Sequence, residues 1–391
     1  PNTTRKAARQ ATQAATGLRK APTGSPAGAF LILTQGNGNT DMNMPLKSET
    51  LDAQASSACQ HRQEARLPTA AELRQQFPAD EQQVRAIAGY RDQIRAVLHG
   101  QDDRTLIVMG PCSIHDEQAA LDYATRLKAL SDEVSDRFLI VMRAYLEKPR
   151  TTVGWKGLLY DPERTGQGNL KQGLERSRKL LLALSELGLP LATEALSPFM
   201  MDYLGDLVSW TAIGARTTES QIHREMVSGL PMPTGFKNGT DGGITVASHA
   251  MKSASHPHHH MGISHSGAPV MISTAGNPDT HLVLRGGRGV TNYDELSIAK
   301  AVAELEKAGV STAVMVDCSH DNACKQAERQ VDIAREVMAQ KRNGNRHIKG
   351  LMLESFLEFG RQDDGKELVY GCSITDPCLG WEQTETLIRS L

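Results

Sequence analysis

The chain has 391 residues, enough for one large domain with a buried core or for two smaller domains. Its 43 Lys and Arg residues nearly balance its 45 Asp and Glu residues, and the formal net charge of −2 excludes a general attraction to nucleic acid or anionic membranes. Six cysteines and no secretory hydrophobic segment argue against a disulfide framework and for a cytoplasmic protein. The apolar run AFLILT at 29–34 is too short to span a bilayer, so no membrane segment is expected.

Residues 1–67 are predicted to be an N-terminal extension, largely disordered or non-native. The first 40 residues contain no Asp or Glu and carry Arg5, Lys6, Arg9, Arg19 and Lys20. Such an acid-poor leader is typical of an organelle transit peptide, but Met42 and Met44 are credible natural starts. We therefore favour non-native upstream sequence over a targeting peptide.

Two helices are predicted at the start of the main domain, residues 68–391. Thr69 and Glu72 match a capping box, and apolar residues then recur at helical spacing at Val84, Ile87, Ile94, Val97 and Leu98. Eight short apolar runs follow, at 105–110, 137–145, 189–195, 210–216, 233–237, 281–287, 312–320 and 349–356. Most are separated by amphipathic stretches, which predicts a (β/α)8 TIM barrel. APVMISTAGN at 268–277 predicts a small β insert before the sixth barrel strand, as part of a hairpin.

The predicted strands end in chemically active side chains. In a (β/α)8 barrel the carboxyl ends of all strands meet at one face, where active sites lie. Each of these side chains alone has a structural explanation, but together they predict one site. They are Cys112, Arg143, Lys148, Glu194, Arg216, Lys237, Arg285, Asp317, His320 and Glu354.

Positive charge dominates this set, and Arg150 adds to it. Only Glu194, Glu354, Asp317 and Asp376 offset the cations. Arginine and lysine at this density predict phosphate or carboxylate ligands, and more than one of them. Glycines beside Lys237 and Arg285 allow backbone amides to approach a phosphate.

A second group has the side chains of metal ligands: Cys112, His320, Glu354 and Asp376. A mixed sulfur, nitrogen and oxygen set favours Mn, Fe(II), Co or Zn over Mg or Ca. An alternative interpretation pairs Cys112 as a nucleophile with His320 as its base.

Several long motifs occur in one order: GPCSIHD, RAYLEKPRTTVGWKG, ATEAL, AIGARTTESQIHRE, GFKNGTDG, LRGG, MVDCSH, ES and SITDPCLGW. From about residue 68 to the end, the chain resembles the type I 3-deoxy-D-arabino-heptulosonate 7-phosphate (DAHP) synthases of the microbial, aromatic-amino-acid-sensitive group. The resemblance implies condensation of phosphoenolpyruvate with erythrose 4-phosphate, the first step of the shikimate pathway. It also implies one divalent metal ion and a homodimer or homotetramer.

The resemblance assigns roles to individual residues. Arg143, Arg216, Lys237 and Arg285 are expected to hold phosphoenolpyruvate, and Lys148, Pro149, Arg150 and Thr151 to bind erythrose 4-phosphate. Cys112, His320, Glu354 and Asp376 match the metal ligands. Lys148 is the expected proton donor to the nascent alkoxide, and Glu194 is expected to stabilise the oxocarbenium character or position the water, with a structural salt bridge as its alternative.

Feedback inhibition is also implied, with tyrosine as the expected effector. Gly262 stands where the family carries serine in phenylalanine-sensitive members and glycine in tyrosine-sensitive ones, because the missing side chain leaves room for the phenolic hydroxyl. Pro198 also matches the tyrosine-sensitive branch.

Two sequence features depart from the family pattern, and Cys318, close to the proposed metal ligand His320, also needs an interpretation. Asp321 follows His320 where a small residue is common, and HPHHH at 256–260 is interpreted as a solvated loop. Cys318 should point away from Asp317 and pack in the core.

Two rival functions stay open: the sibling synthase that uses arabinose 5-phosphate, and a catalytically inactive regulatory barrel.

Overall fold

The computed structural model describes residues 64–365 and 367–391. Residues Ala65–Leu391 form one compact unit. The predicted extension over 1–67 falls mainly on residues outside the described part, so its character and the boundary at residue 68 stay predictions. Within the described ranges, every helix is too short or too polar to cross a bilayer.

Ten strands are present in the described residues: β1 (Thr105–Gly110), β2 (Phe138–Arg143), β3 (Leu191–Glu194), β4 (Trp210–Ile213), β5 (Thr234–Lys237), β6 (His258–Ile263), β7 (Pro269–Thr274), β8 (Thr280–Leu284), β9 (Val314–Asp317) and β10 (Ile348–Glu354). Eight of them close a parallel barrel in the order β1-β10-β9-β8-β5-β4-β3-β2. The barrel closes where Leu106 of β1 pairs with Leu139 on one side and Gly350 on the other. The predicted (β/α)8 barrel is confirmed.

Ten α-helices accompany the strands in the described part of the chain: α1 (Ala70–Gln76), α2 (Glu81–Leu98), α3 (Glu117–Glu133), α4 (Leu170–Glu186), α5 (Met200–Leu204), α6 (Gln221–Ser228), α7 (Thr245–Ala254), α8 (Glu295–Ala308), α9 (Arg329–Arg342) and α10 (Trp381–Ser390). The Thr69–Glu72 capping box is confirmed at the start of α1. Asp116 and Asp294 cap α3 and α8 by accepting backbone hydrogen bonds, which satisfies amides that the first turn leaves free.

Helix α2 closes the amino-terminal end of the barrel. Its Ile94, Val97 and Leu98 join the cluster that fills the barrel interior, while Val84 on the same helix is exposed. A second, larger cluster lies between the outer face of the barrel and the surrounding helices. One end of the barrel is therefore sealed by apolar packing, and the carboxyl ends of the strands form its open mouth.

An antiparallel hairpin, β6 and β7, precedes the sixth barrel strand, β8, and confirms the predicted β insert. The interpretation of HPHHH as a loop was wrong, because His258, His259 and His260 begin β6. They pair with Thr274, Ser273 and Ile272 of β7, and His259 Nδ1 lies 2.9 Å from Ser273 Oγ. Strand β6 is held by its pairing with β7, and the histidine run by itself did not indicate this pairing.

Candidate active site

The mouth of the barrel is built by the alternation of side chains along its strands. Successive residues of a strand point to opposite faces, so every second residue points into the barrel. The inward residues are apolar at first, as in Leu139 and Val141 of β2 and Met352 of β10. The next inward position of several strands is charged: Arg143, Glu194, Lys237, Asp317 and Glu354 end β2, β3, β5, β9 and β10. The same alternation of inward-pointing residues therefore supplies the apolar barrel interior and, at the strand ends, the charged site above it.

A cavity of about 300 Å³ occupies this mouth. Most of the predicted site residues line it: Arg143, Lys148, Pro149, Arg150, Thr151, Glu194, Arg216, Lys237, Arg285, His320, Glu354 and Asp376. Arg216 lies three residues beyond the end of β4 rather than in the strand. The barrel thus brings the expected substrate-binding and catalytic residues into one space, which we call the mouth cavity.

Cations outnumber carboxylates in the mouth cavity. Seven of the lining residues are Lys or Arg, and three are Asp or Glu. Arg216 is exposed and makes no ion pair with any residue that the structure describes. This surplus of positive charge is suited to anionic ligands.

Arg143 is buried beneath the mouth cavity, with its side chain 1% exposed. Its Nη2 donates a hydrogen bond to Glu354 Oε1 at 3.1 Å, and its guanidinium lies 3.9 Å from the centre of the Tyr145 ring. Burial alone would lower the pKa of Arg143, but Tyr145 and Glu354 raise it above its ordinary value. The Nη1 group has no protein partner, although buried donors are normally paired. This unused donor fits an anionic ligand.

Lys237 and Arg285 each contact a carboxylate. Lys237 Nζ lies 3.0 Å from Asp317 Oδ2 in a fully buried pair. Burial alone would raise the pKa of Asp317, but His320 and Lys237 hold it well below its usual range. Arg285 Nη1 lies 2.7 Å from Asp321 Oδ2 in a less buried pair. Both cations are therefore paired with a carboxylate of the chain itself.

A candidate metal centre lies at one side of the mouth. Cys112, Glu354 and Asp376 each place a ligand atom within 4.8 Å of the other two. Cys112 Sγ is 3.4 Å from Asp376 Oδ2, and Lys148 Nζ contacts both, at 2.7 Å from the sulfur and 2.9 Å from the carboxylate. The sulfur and oxygen donors fit a borderline divalent cation.

His320, the fourth predicted ligand, lies beside this group rather than within it. Its Nε2 is 4.0 Å from Glu354 Oε1, and its Nδ1 is 2.9 Å from Asp317 Oδ2 without the alignment of a hydrogen bond. The residue has a φ of 52°, in the left-handed region that few side chains adopt. Such backbone strain is found where the surrounding structure holds a side chain in place.

The thiol of Cys112 is not arranged as an activated nucleophile. Burial, followed by the charge of Glu354, raises its pKa to about 12. Its hydrogen-bond contacts are with Lys148 and Asp376, whereas the proposed base His320 faces Glu354 and Asp317. The geometry therefore favours a ligand role for Cys112 over the alternative pairing with His320.

The two residues predicted to bind an effector line a different groove, of about 780 Å³. Pro198 and Gly262 line it together with Asp202, Met226 and Ile272. This effector groove shares no lining residue with the mouth cavity. A Cβ at Gly262 would lie 2.3 Å from Ile272 Cδ1, so a larger residue at this position would require the Ile272 side chain to shift.

Some lining residues were missed by the sequence reasoning. Lys325 and Gln326 reach the mouth cavity from the loop after β9, Tyr145 follows β2, and Ser319 Oγ donates to Glu354 Oε2 at 2.6 Å. Each stands within six residues of a predicted site residue. A wider search of every loop after a barrel strand would have found them. Cys318 packs in the outer core, as predicted.

Fold and site define a (β/α)8 barrel enzyme whose mouth combines an anion-binding surface with a candidate metal centre. The family model described as the DAHP synthetase I family matches residues 76–389. The chain therefore belongs to the DAHP synthetase I family.

Individual relatives agree with this assignment. The chain is 52% identical over 328 residues to the Tyr-sensitive phospho-2-dehydro-3-deoxyheptonate aldolase of Escherichia coli K12, covering 83% of this chain and 92% of that protein. It is 49% identical over 327 residues to the Phe-sensitive enzyme of the same organism, covering 83% and 93%. The solved structure of the Francisella tularensis SCHU S4 aldolase of this name superposes with a TM-score of 0.82 at 41% identity, covering 84% of this chain and 96% of that one.

Proposed function

We propose that the mouth cavity condenses phosphoenolpyruvate with D-erythrose 4-phosphate and water, releasing 3-deoxy-D-arabino-heptulosonate 7-phosphate and inorganic phosphate. The chain is an enzyme of this class, and its reaction opens the shikimate pathway to the aromatic amino acids. The observation that carries the proposal is the charge of the cavity, where seven cations face three carboxylates around one volume. Both substrates are phosphorylated, and one also carries a carboxylate, which accounts for the surplus.

Phosphoenolpyruvate is held by Arg143, Arg216, Lys237 and Arg285 in this proposal. The unpartnered Nη1 of Arg143 and the exposed guanidinium of Arg216 supply donors that the protein itself leaves free. The buried Lys237 contributes a point charge at the base of the mouth. Bidentate arginine and compact lysine together suit a carboxylate and a phosphate on one small molecule.

Erythrose 4-phosphate is held by the segment Lys148 to Thr151. All four residues line the mouth cavity. Arg150 is oriented by the hydrogen bond that its Nε donates to Trp155 O at 2.8 Å. This contact leaves its terminal nitrogens for the sugar phosphate.

The chemistry joins carbon 3 of phosphoenolpyruvate to the aldehyde carbon while water adds to carbon 2. The bond from carbon 2 to the phosphate oxygen then breaks, which expels inorganic phosphate and leaves a ketone at carbon 2. The aldehyde oxygen then needs a proton, and the Lys148 ammonium, at the candidate metal centre, is the donor. Glu194 lines the mouth at the end of β3, where Gly214 makes room for it, since a Cβ there would lie 2.2 Å from Glu194 Oε1. We assign Glu194 to the incoming water and the positive charge that develops at carbon 2.

One divalent ion, Mn, Fe, Co or Zn, would be held by Cys112, Glu354, Asp376 and His320. When bound, it would supply a Lewis acid for the aldehyde oxygen. The protein's part is to hold the donors in place: Arg143 and Ser319 both donate to Glu354, and Lys148 donates to Asp376.

Feedback inhibition by an aromatic amino acid at the effector groove, with tyrosine as the effector, is the regulatory part of the proposal. The Escherichia coli relative whose name includes Tyr-sensitive is 52% identical, against 49% for the Phe-sensitive one, and Gly262 and Pro198 line one groove. A cytoplasmic location fits the five free cysteines of the described residues. A homodimer or homotetramer remains a prediction.

Phosphate release from phosphoenolpyruvate tests the activity. We expect release only when erythrose 4-phosphate is present, and its loss in chelator with recovery on adding Mn, Co or Zn. Release with arabinose 5-phosphate but not erythrose 4-phosphate would establish the sibling synthase instead. No release with either sugar would favour the inactive regulatory barrel.

A further inference from the structure

Arg285 already holds an anion that belongs to the chain. Its Nη1 donates to Asp321 Oδ2 at 2.7 Å, at the edge of the mouth cavity that Arg285 lines. The side chains are 13% and 22% exposed, so the pair is largely shielded from water. A substrate phosphate that binds Arg285 must therefore share it with a carboxylate or displace that carboxylate.

The backbone around Asp321 is fixed rather than free to move away. Asn322 Nδ2 donates to Leu284 O and to Asp317 O, which ties the loop to the ends of β8 and β9. The loop also packs tightly on Gly286, where an added Cβ would lie 2.9 Å from Asp321 Cβ. The carboxylate is therefore held beside Arg285 at the edge of the mouth cavity.

The other acids beneath the mouth are shared among several partners. Asp317 contacts both Lys237 and His320, and Glu354 accepts from Arg143 and Ser319. Asp321, in contrast, has Arg285 as its one ion-pair partner among the described residues. If a substrate phosphate binds Arg285 in place of Asp321, the Asp321 carboxylate loses its ion-pair partner and repels the phosphate.

We propose that Asp321 acts as an internal competitor of substrate phosphate at Arg285 and so determines the affinity for phosphoenolpyruvate. This inference rests on the proposed function of the site. The exchange is reversible: Asp321 recovers Arg285 when the ligand leaves. The same competition weakens the hold on inorganic phosphate, which is a product of the reaction.

Asp321→Asn separates charge from position. Asparagine keeps an oxygen that accepts from Arg285 but removes the negative charge. We expect the KM for phosphoenolpyruvate to fall by about fivefold or more, because a partly shielded charge a few ångströms away is removed. The inhibition constant for inorganic phosphate should fall similarly, and the KM for erythrose 4-phosphate should stay unchanged.

Asp102→Asn is the matched control. Asp102 is also 22% exposed and pairs with Arg104 at 2.7 Å, but it precedes β1 at the opposite end of the barrel. Its replacement should leave all three constants unchanged. Circular dichroism confirms that each variant is folded, and Asp321→Ala provides a second variant in which the acceptor is also removed.

A positioning role for Asp321 predicts the opposite pattern. An unchanged KM for phosphoenolpyruvate in Asp321→Asn, with a raised KM in Asp321→Ala, would overturn the proposal. Calorimetric titration with phosphoenolpyruvate makes the test independent of turnover. Tighter binding by Asp321→Asn in a protein without synthase activity would support competition while refuting the proposed reaction, and equal or weaker binding would overturn the competition itself.

Discussion

The ammonium of Lys148 lies 2.7 Å from Cys112 Sγ and 2.9 Å from Asp376 Oδ2, so a lysine and two candidate metal ligands form one cluster. Desolvation alone would raise the pKa of Asp376, but the charge and hydrogen bond of Lys148, with His320 and Cys112, together lower that pKa well below its ordinary value. A divalent cation is attracted to the same donors. In the proposed mechanism a divalent ion held by these donors would act as a Lewis acid on the aldehyde oxygen, and the ammonium of Lys148 would give that oxygen its proton.

Removing the sulfur ligand should empty the metal site. We predict that Cys112→Ala lowers metal affinity by at least about 100-fold and abolishes the chelator-reversible activity, because the mixed donor set loses its soft ligand. Metal content after dialysis, measured by mass spectrometry, is the primary readout. Cys372→Ser, at another buried cysteine, should retain the metal. Full activity in metal-free Cys112→Ala would refute the metal assignment.

Arg285→Ala should mainly weaken phosphoenolpyruvate binding. The lost charge-assisted contact is worth roughly 1.5 to 3 kcal/mol, which corresponds to a rise in KM of about 10- to 150-fold. The variant also leaves the Asp321 carboxylate unpaired, which adds to the loss. Steady-state kinetics with each substrate varied in turn measure the effect, with the neighbouring Arg288→Ala as control. A selective loss of erythrose 4-phosphate affinity would assign Arg285 to the other substrate.

Tyrosine should inhibit more strongly than phenylalanine or tryptophan, and Gly262→Ser should weaken that inhibition. A side chain at residue 262 would meet Ile272, which also lines the effector groove, and we expect it to take up the space that a phenolic hydroxyl needs. The coupling between effector and substrate sites should be roughly 1 to 3 kcal/mol. Separate titrations with the three amino acids measure it.

Gly89→Ser is the control for this substitution, because a Cβ at Gly89 on α2 meets no atom within 4 Å. Its inhibition curve should match that of the unmodified enzyme. Stronger inhibition by phenylalanine, or no response to any aromatic amino acid, would contradict the assignment of the groove.

Glu147→Gln should make stability less sensitive to pH. Burial raises the pKa of Glu147 from 4.5 to about 7, although backbone amides of Ser197 and Leu196 donate to it. Below pH 4.5 both folded and unfolded states hold the proton, and between 4.5 and 7 the folded state alone does. Stability therefore falls as pH rises through this window, by about 3 kcal/mol in all, and the loss persists above pH 7.

Thermal unfolding at pH 5 and pH 8 measures this effect. Relative to the unmodified protein, Glu147→Gln should gain several degrees more at pH 8 than at pH 5. The exposed Glu358→Gln should show the same small change at both pH values. An equal effect of Glu147→Gln at the two pH values would show that Glu147 does not bind its proton more tightly in the folded state.

Much of the fold was accessible from local sequence, because its signals are periodic. Alternating inward and outward residues marked the strands, and Thr69 with Glu72 marked the first helix. Charged residues at the last inward positions, such as Lys237 and Glu354, indicated an anion-binding mouth once the barrel was recognised. The sequence did not predict a strand at His258 to His260, because that strand forms by pairing with β7 and the three histidines show no strand pattern of their own.

The sequence by itself determined the barrel, the face that bears the site and the chemical types gathered there. Only the tertiary structure decided which charges meet. Cys112 and Asp376 are 264 positions apart, and Lys237 and Asp317 are 80 apart, yet both pairs are in contact. Arg285, directly after β8, likewise meets Asp321, which is 36 positions away. Such partners depend on how a closed barrel aligns the ends of its strands, and no local pattern of residues encodes that distance.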